Sequence, residues 1–138
     1  MIKNLHIYLV MNGNGAEAIQ FYQEILGAEV IEVSTFEKLT ASMKIAEADK
    51  KRILHAELSV GGTNFMLCDT FPDQSYVVGN QVTIFIESTT METTAALFNS
   101  LANEGQIIMP LEPTFWSPCY GQVRDKFGVT WQVSTHTN

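Results

Sequence analysis

One histidine and one glutamate share a strand-like segment in a pattern suited to acid–base chemistry. His55 and Glu57 are two residues apart within residues 53–60, so strand alternation brings both side chains to one face. An imidazole titrates near neutral pH and can act as a base or a ligand. A histidine that is simply hydrogen-bonded to Glu57 or to a strand neighbour has the same pattern. His55 and Glu57 are therefore candidate catalytic residues, and the sequence leaves both interpretations of His55 open.

Further polar and aromatic side chains alternate on three other predicted strands, over residues 5–11, 81–87 and 129–135. On the last of these, Val129, Trp131 and Val133 share one face, and Gln132 points to the other. The candidates on the polar faces are His6, Tyr8, Gln81, Thr83, Phe85 and Gln132.

The elements that must position these residues occur twice along the chain. Each half reads as strand, helix and three strands, with helices over residues 16–26 and about 90–103. The spacings also repeat, because Phe21 and Val30 are nine residues apart and so are Phe98 and Ile107. Such a duplication predicts one α+β domain over residues 1–138, with a first βαβββ module at about 1–70 and a second at about 80–135.

One helix per module can cover only one face of the strands. The sequence therefore predicts a curved mixed sheet, a cup, with both helices on its outer face. Leu5, Ile7 and Val82 are among the residues expected under the helices. Polar groups inside a sheet enclosure are costly unless they have partners, so the cup is the expected binding site.

An aromatic loop precedes the last hairpin. Trp116 lies in it between Pro113 and Pro118, which stiffen the chain, and Tyr120 follows these prolines. Their rings could form the wall of a site for a flat ligand, or they could pack in the core or in a dimer interface. Gly128 is suited to the positive φ that the hairpin turn requires.

Composition excludes several classes of partner. The formal charge of −7 argues against nucleic acid and is mildly permissive for a cationic ligand. No apolar run approaches the length of a membrane span, and no signal segment is apparent, so we expect no membrane partner and a cytoplasmic location. The two cysteines, Cys68 and Cys119, show no metal-binding or disulfide spacing.

Several motifs in order carry a resemblance to a known family. They are Tyr8–Asn14 (YLVMNGN), residues 18–22 (AIQFY), residues 55–62 (HAELSVGG), residues 114–116 (TFW) and residues 125–131 (DKFGVTW). The chain resembles the PhnB-like branch of the vicinal oxygen chelate superfamily, which includes glyoxalase I, bleomycin-resistance and fosfomycin-resistance proteins and extradiol dioxygenases. This resemblance implies a homodimer. An old label for this branch names a methyltransferase, which we reject because the chain has no Gly-rich nucleotide turn.

The resemblance also implies a divalent metal, such as Zn, Ni, Mn or Mg, held by His, Glu and sometimes Gln. Carried over by position, the metal ligands fall on His6, with the adjacent Ile7 as the competing match, and on Glu57, with Gln81 and Gln132 at the remaining two positions. A neutral amide oxygen is a weak ligand for zinc or nickel, which favours a binding role for both glutamines.

Two functions follow from these expectations. The first is binding of a small molecule in the cup, with catalysis unproven, through Tyr8, Gln81, Phe85, Trp116, Tyr120 and Gln132. The alternative is a metal-dependent lyase, isomerase or group transferase of the glyoxalase type that uses His55 and Glu57.

Overall fold

The structure is a computed structural model that describes residues 1–137. The chain divides into two compact units, Met1–Tyr76 and Val77–Asn138, which we call module one and module two. No helix in the described part of the chain is long and apolar enough to cross a membrane.

Module one contains strand β1 (Tyr8–Met11), helix α1 (Gly15–Leu26), and strands β2 (Glu29–Thr35), β3 (Ile53–Val60) and β4 (Thr63–Asp69). The strands form a four-stranded sheet in the order β1-β4-β3-β2, in which β1 and β4 are parallel and the other pairs are antiparallel. Two short 3₁₀ turns, Phe36–Ala41 and Glu47–Asp49, lie between β2 and β3.

Module two repeats this order with strand β5 (Ile84–Ser88), helix α2 (Met91–Ala102), and strands β6 (Gln106–Glu112), β7 (Tyr120–Arg124) and β8 (Thr130–Thr135). Its sheet has the order β5-β8-β7-β6, and β5 and β8 are its parallel pair. The predicted α+β fold of two βαβββ modules with mixed sheets is confirmed.

Each helix packs its apolar side on one face of its own sheet. In module one, Ala18 and Tyr22 of α1 are fully buried, as are Leu58 and Leu67 of the sheet. In module two, Gly121 lies directly beneath α2, where an added Cβ would come within 2.7 Å of the Phe98 ring. We call the opposite face of each sheet, away from its helix, the open face.

The β7–β8 hairpin is built around a buried carboxylate. Asp125 Oδ1 accepts hydrogen bonds from the backbone N–H groups of Phe127 and Val129, and Oδ2 accepts one from Trp131 Nε1 at 2.9 Å. Gly128 has a φ of 91°, as its place in the turn predicted. This turn fixes the register of the two strands that follow and precede it.

Two predicted strands begin later than expected. β1 starts at Tyr8 and β5 at Ile84, because the parallel pairing with β4 and β8 begins only at these residues. The residues before them lie outside the sheets, so Leu5, Ile7 and Val82 are exposed instead of lying under the helices.

Candidate functional site

The open face of module two collects polar side chains from two antiparallel strands. On β7 these are Tyr120, Gln122 and Arg124, which alternate with the buried Gly121 and Val123. In the β7–β8 register, Gln122 lies opposite Gln132, and Arg124 lies opposite Thr130. The parallel pairing places Phe85 of β5 beside Gln132 on its other side.

A chain of hydrogen bonds links these side chains. Gln122 Nε2 donates to the Tyr120 hydroxyl at 3.0 Å, and that hydroxyl donates a short hydrogen bond to Gln132 Oε1. Gln132 Nε2 in turn donates to Thr83 Oγ1 at 2.8 Å. Both ends of the Gln132 amide are therefore engaged, which fixes the orientation of this side chain on the open face.

The aromatic loop continues from this chain of hydrogen bonds. The Trp116 and Tyr120 rings pack edge to face with centroids 5.3 Å apart, and Phe115 packs against Trp116 at 4.8 Å. Buried Ser117 ties the loop to β8, because its hydroxyl donates to the Thr135 carbonyl at 2.9 Å. Trp116 is nevertheless 48% exposed, so a firmly held ring remains available to a ligand.

A pocket of about 300 Å³ opens on the same face. Amide, hydroxyl and guanidinium groups dominate its lining, with one aliphatic side chain. The lining residues are Asn80, Thr83, Gln106, Ile108, Gln122, Arg124 and Thr130. Gln122 and Thr83 belong both to the pocket and to the chain of hydrogen bonds, so the two features form one site.

The open face of module one holds ionisable groups instead. The Tyr8 hydroxyl and His55 Nδ1 are 2.9 Å apart and share a hydrogen bond. Burial raises the pKa of the Tyr8 phenol, and nearby Cys68 adds to this rise. Burial also raises the pKa of the Cys68 thiol, with the hydrogen bond from Tyr8 opposing and the charge of Asp69 adding to that effect.

Glu57 and His6 of module one both meet Asn64. The Asn64 amide Nδ2 donates to Glu57 Oε2 at 2.7 Å, and His6 Nδ1 lies 3.2 Å from the Asn64 carbonyl oxygen. His55 pairs with Tyr8 of β1, two strands away in the sheet, and not with Glu57, and this contact is compatible with both interpretations of His55.

The structure brings together several of the sequence-predicted ligand-binding residues in module two. Phe85, Trp116, Tyr120 and Gln132 are connected through strand pairing, ring contacts and hydrogen bonds. Gln81 is exposed and precedes β5. It is not part of the pocket lining, although Asn80 before it and Thr83 after it line the pocket.

Most of the pocket lining was not predicted from the sequence. The missed residues are Asn80, Gln106, Ile108, Gln122, Arg124 and Thr130. The signal for three of them was available, since a turn centred on residues 126–128 places Gln122, Arg124 and Thr130 on the face that carries Gln132. Gln106 and Ile108 lie on β6, whose pairing with β7 has register shifts that alternation does not reveal.

The sequence-predicted metal ligands do not make a strong donor set. Among residues 1–137 there is no group of three or more His, Cys, Asp or Glu side chains that could hold a metal ion. Glu57 is the single carboxylate of the predicted set and is already bonded by Asn64, and the Gln132 amide oxygen accepts from Tyr120. Since a hydrogen-bonded oxygen keeps further lone pairs, the predicted set offers one imidazole, one carboxylate and two neutral amides, and the two amides are weak ligands for Zn or Ni.

Comparison with known proteins identifies the family. The model of the 3-demethylubiquinone-9 3-methyltransferase family matches residues 3–134. The chain belongs to this family. Protein YjdN of Escherichia coli (strain K12) is 31% identical over 137 residues, covering 92% of this chain and 91% of that protein.

Solved structures place this PhnB-like family member among proteins of the same fold. Protein PA1353 from Pseudomonas aeruginosa has a TM-score of 0.84 and 34% identity, covering 98% of this chain and all (100%) of that one. A putative 3-demethylubiquinone-9 3-methyltransferase, PhnB protein, from Bacillus cereus has a TM-score of 0.82 and 24% identity, covering 96% and 99%.

A more distant neighbour has the same fold. A point mutant of the fosfomycin resistance protein FosX from Listeria monocytogenes, complexed with Mn(II) and 1S,2S-dihydroxypropylphosphonic acid, has a TM-score of 0.67 and 15% identity, covering 99% of this chain and 95% of that one. At this identity the likeness shows the fold alone. The predicted PhnB-like family is confirmed by the family match and by the relative of 31% identity.

Proposed function

We propose that this protein binds a small organic molecule on the open face of module two. The observation that carries the proposal is the chain of hydrogen bonds from Gln122 through Tyr120 and Gln132 to Thr83, which borders a pocket of about 300 Å³. Small-molecule sites combine a concave surface with a few polar groups held in fixed orientations. Here the polar groups are already oriented by one another, so binding costs little side-chain ordering.

The aromatic loop supplies the apolar contact that such a ligand needs. A flat ring packed against Trp116 gains about 0.5–1.5 kcal/mol beyond its buried area. Trp116 is tied to the polar site through its contact with the Tyr120 ring. The ligand we propose therefore has a flat apolar part at Trp116 and a polar part in the pocket.

The test is a fluorescence titration with a panel of flat aromatic compounds that carry carboxylate, amide or amine groups. We expect saturable quenching of tryptophan fluorescence by members of the panel, and loss of most of the signal in Trp116→Phe. Gln132→Met should weaken binding at least about tenfold, because it removes a hydrogen-bonding group on the site and leaves the neighbouring side chains without their partner.

Met66→Gln is the matched control, since Met66 is the equivalent residue of module one. This variant should bind like the wild type. Equal binding by Gln132→Met and the wild type, or no saturable binding of any compound, would contradict the proposal.

A metal-dependent lyase, isomerase or group transferase remains the second candidate function. The observation that favours it is the Tyr8–His55 hydrogen bond on the face that also carries Glu57, because such a pair could accept or deliver a proton. The FosX structure with Mn(II) shows that the fold can hold a metal in another protein.

Metal analysis of protein purified without chelator separates the two functions. A stoichiometric divalent metal that is lost in Glu57→Ala would support the enzyme, and substoichiometric metal in both proteins would favour the binder.

We further propose a homodimer that pairs through β6. This strand is at an edge of its sheet and exposes three consecutive apolar side chains, Ile107, Ile108 and Met109. Light scattering after size exclusion should give the mass of two chains, and Ile107→Lys should give that of one. A wild-type monomer at micromolar concentration would contradict this.

Both cysteines are free thiols, which suits the cytoplasmic location that we propose.

A further inference from the structure

The charges of module two are distributed unevenly. Over residues 77–138 the sequence has five carboxylates but only two cations, Arg124 and Lys126. Lys126 lies 3.5 Å from Glu104 in a salt bridge. Within residues 1–137, no carboxylate forms an ion pair with Arg124. Arg124 is therefore a cation whose charge module two does not neutralise.

The carboxylate next to Arg124 in sequence faces away from the pocket. Asp125 is 2% exposed and accepts hydrogen bonds from two backbone N–H groups and the Trp131 indole. Glu87 lies beside His136 at 3.2 Å. Although the chain carries a net charge of −7, Arg124 is the one ionised side chain in the pocket lining.

The other lining groups suit an anion as well. Asn80, Gln106 and Gln122 bring amide groups, and Thr83 and Thr130 bring hydroxyls, all of which can donate hydrogen bonds. Arg124 Nε lies 3.5 Å from Thr130 Oγ1, at the limit of a hydrogen bond, and both residues line the pocket. A guanidinium surrounded by donors is the arrangement that binds carboxylate and phosphate oxygens, often through two parallel hydrogen bonds.

We propose that this pocket binds an anionic oxygen group of the ligand, of the carboxylate or phosphate type, with Arg124 as its main partner. This inference rests on the proposed binding function and names the class of ligand. It reverses the expectation from net charge, which was mildly permissive for a cation, because the local charge at the site is positive where the global charge is negative.

The test follows the side-chain Nε–H signals of arginine by NMR while inorganic phosphate or acetate is added at constant ionic strength. The chain has two arginines, so Arg52, which lies 3.9 Å from Asp49, is an internal reference in the same spectrum. We expect a saturable shift of the Arg124 signal and little change at Arg52. Saturation with phosphate alone indicates a phosphate-type group, saturation with acetate alone indicates a carboxylate, and saturation with both supports the anion class.

Two variants with the same charge change sharpen the test. Arg124→Gln should weaken anion binding at least about tenfold, whereas Lys126→Gln should bind anions like the wild type, because Lys126 lies outside the pocket lining. Parallel, non-saturating shifts at both arginines, or equal effects of the two variants, would overturn the inference. If neutral or amine compounds bind in a manner that depends on Gln132 but not on Arg124, the anion inference fails and the proposed binding function stands. If no panel compound binds at all, both fail.

Discussion

The two modules share one strand order but carry different chemistry at equivalent positions of their open faces. Met66 on β4 is the counterpart of Gln132 on β8. Each residue is on the last strand of its module and is paired with the first strand of that module. Glu57 pairs with Met66, and Gln122 pairs with Gln132. Module one therefore has a carboxylate beside a thioether where module two has two amides.

The same contrast extends along the neighbouring positions. His55 lies two residues before Glu57 in module one, and Tyr120 lies two residues before Gln122 in module two. The ionisable side chains thus lie on module one, and module two has amides and hydroxyls with a single cation. The two modules therefore share a strand order but differ in the chemistry of their open faces, and the amides and hydroxyls of module two suit the binding function that we propose for it.

The largest expected difference between the modules concerns the residue at the end of the last strand. Asp69 accepts hydrogen bonds from the backbone N–H groups of Gly13, Gly15 and Ile53, whereas its counterpart Thr135 shares a hydroxyl hydrogen bond with Thr94. Asp69→Ala should lower the free energy of unfolding by about 3–5 kcal/mol, because three backbone donors lose a charged acceptor. Thr135→Val should cost about 1–2 kcal/mol. Urea denaturation measures both, and equal losses would contradict the comparison.

The next prediction concerns a substitution that makes module two resemble module one. Gln122→Glu places a carboxylate beside Arg124 in the pocket and should weaken phosphate or acetate binding at least about tenfold, because the new charge competes with the anion. Glu57→Gln, the reciprocal change, should leave anion binding within about twofold of the wild type, since no anion site is proposed there. Calorimetric titration of the two variants gives the affinities. A loss in Glu57→Gln as large as that in Gln122→Glu would place the site elsewhere.

A smaller effect should distinguish the two open-face tyrosines. Tyr120 is 6% exposed and its hydroxyl joins Gln122 to Gln132, whereas Tyr8 is 44% exposed. Tyr120→Phe should lower the free energy of unfolding by about 1–2 kcal/mol, because the half-buried amide groups of Gln122 and Gln132 lose their partner. Tyr8→Phe should change it by less than about 0.5 kcal/mol, as water replaces the lost contact. Similar values for the two variants would show that the chain of hydrogen bonds in module two adds little stability.

The smallest predicted effect is on pH dependence and belongs to module one. The pKa values of Tyr8 and Cys68 are raised in the folded state, so the folded protein holds these protons more tightly than the unfolded chain. Their contribution is complete below the unfolded-state pKa values and is lost as the pH rises through the folded-state values. Stability should therefore fall in the alkaline range, and Cys68→Ala should reduce that fall by less than about 0.5 kcal/mol, because solvent screens a half-buried group. Urea midpoints between neutral and alkaline pH would show this, and an unchanged alkaline slope in Cys68→Ala would contradict it.

Local patterns in the sequence were sufficient for most of the fold. The alternation at residues 53–60 predicted β3 with both its ends, and Gly128 predicted the positive-φ turn of the last hairpin. The same patterns failed at the first strand of each module. Alternation continues through residues 5–7 and 81–83, but these residues are not in register with the parallel partner strands β4 and β8. Where the pairing begins depends on tertiary structure and not on the local sequence pattern.

The site was less predictable than the fold for the same reason. Gln132 could be placed on its face by counting along one strand, whereas Tyr120 was predicted with the rings of the aromatic loop and in the structure begins β7. Asn80 and Gln106 reach the pocket from a loop and from an irregular edge strand, and their approach depends on how separate elements pack. The net charge could not indicate the role that we propose for Arg124, because that role depends on where the carboxylates point and not on how many there are.

The central claim is that the open face of module two binds the ligand. It is tested most directly by mapping backbone amide shifts in ¹⁵N NMR spectra while a compound from the fluorescence panel is titrated to saturation. We predict that the largest shifts fall on Thr83, Gln122, Arg124 and Gln132 and on the loop around Trp116. Shifts concentrated on Tyr8, His55 and Glu57, with module two unchanged, would contradict the account.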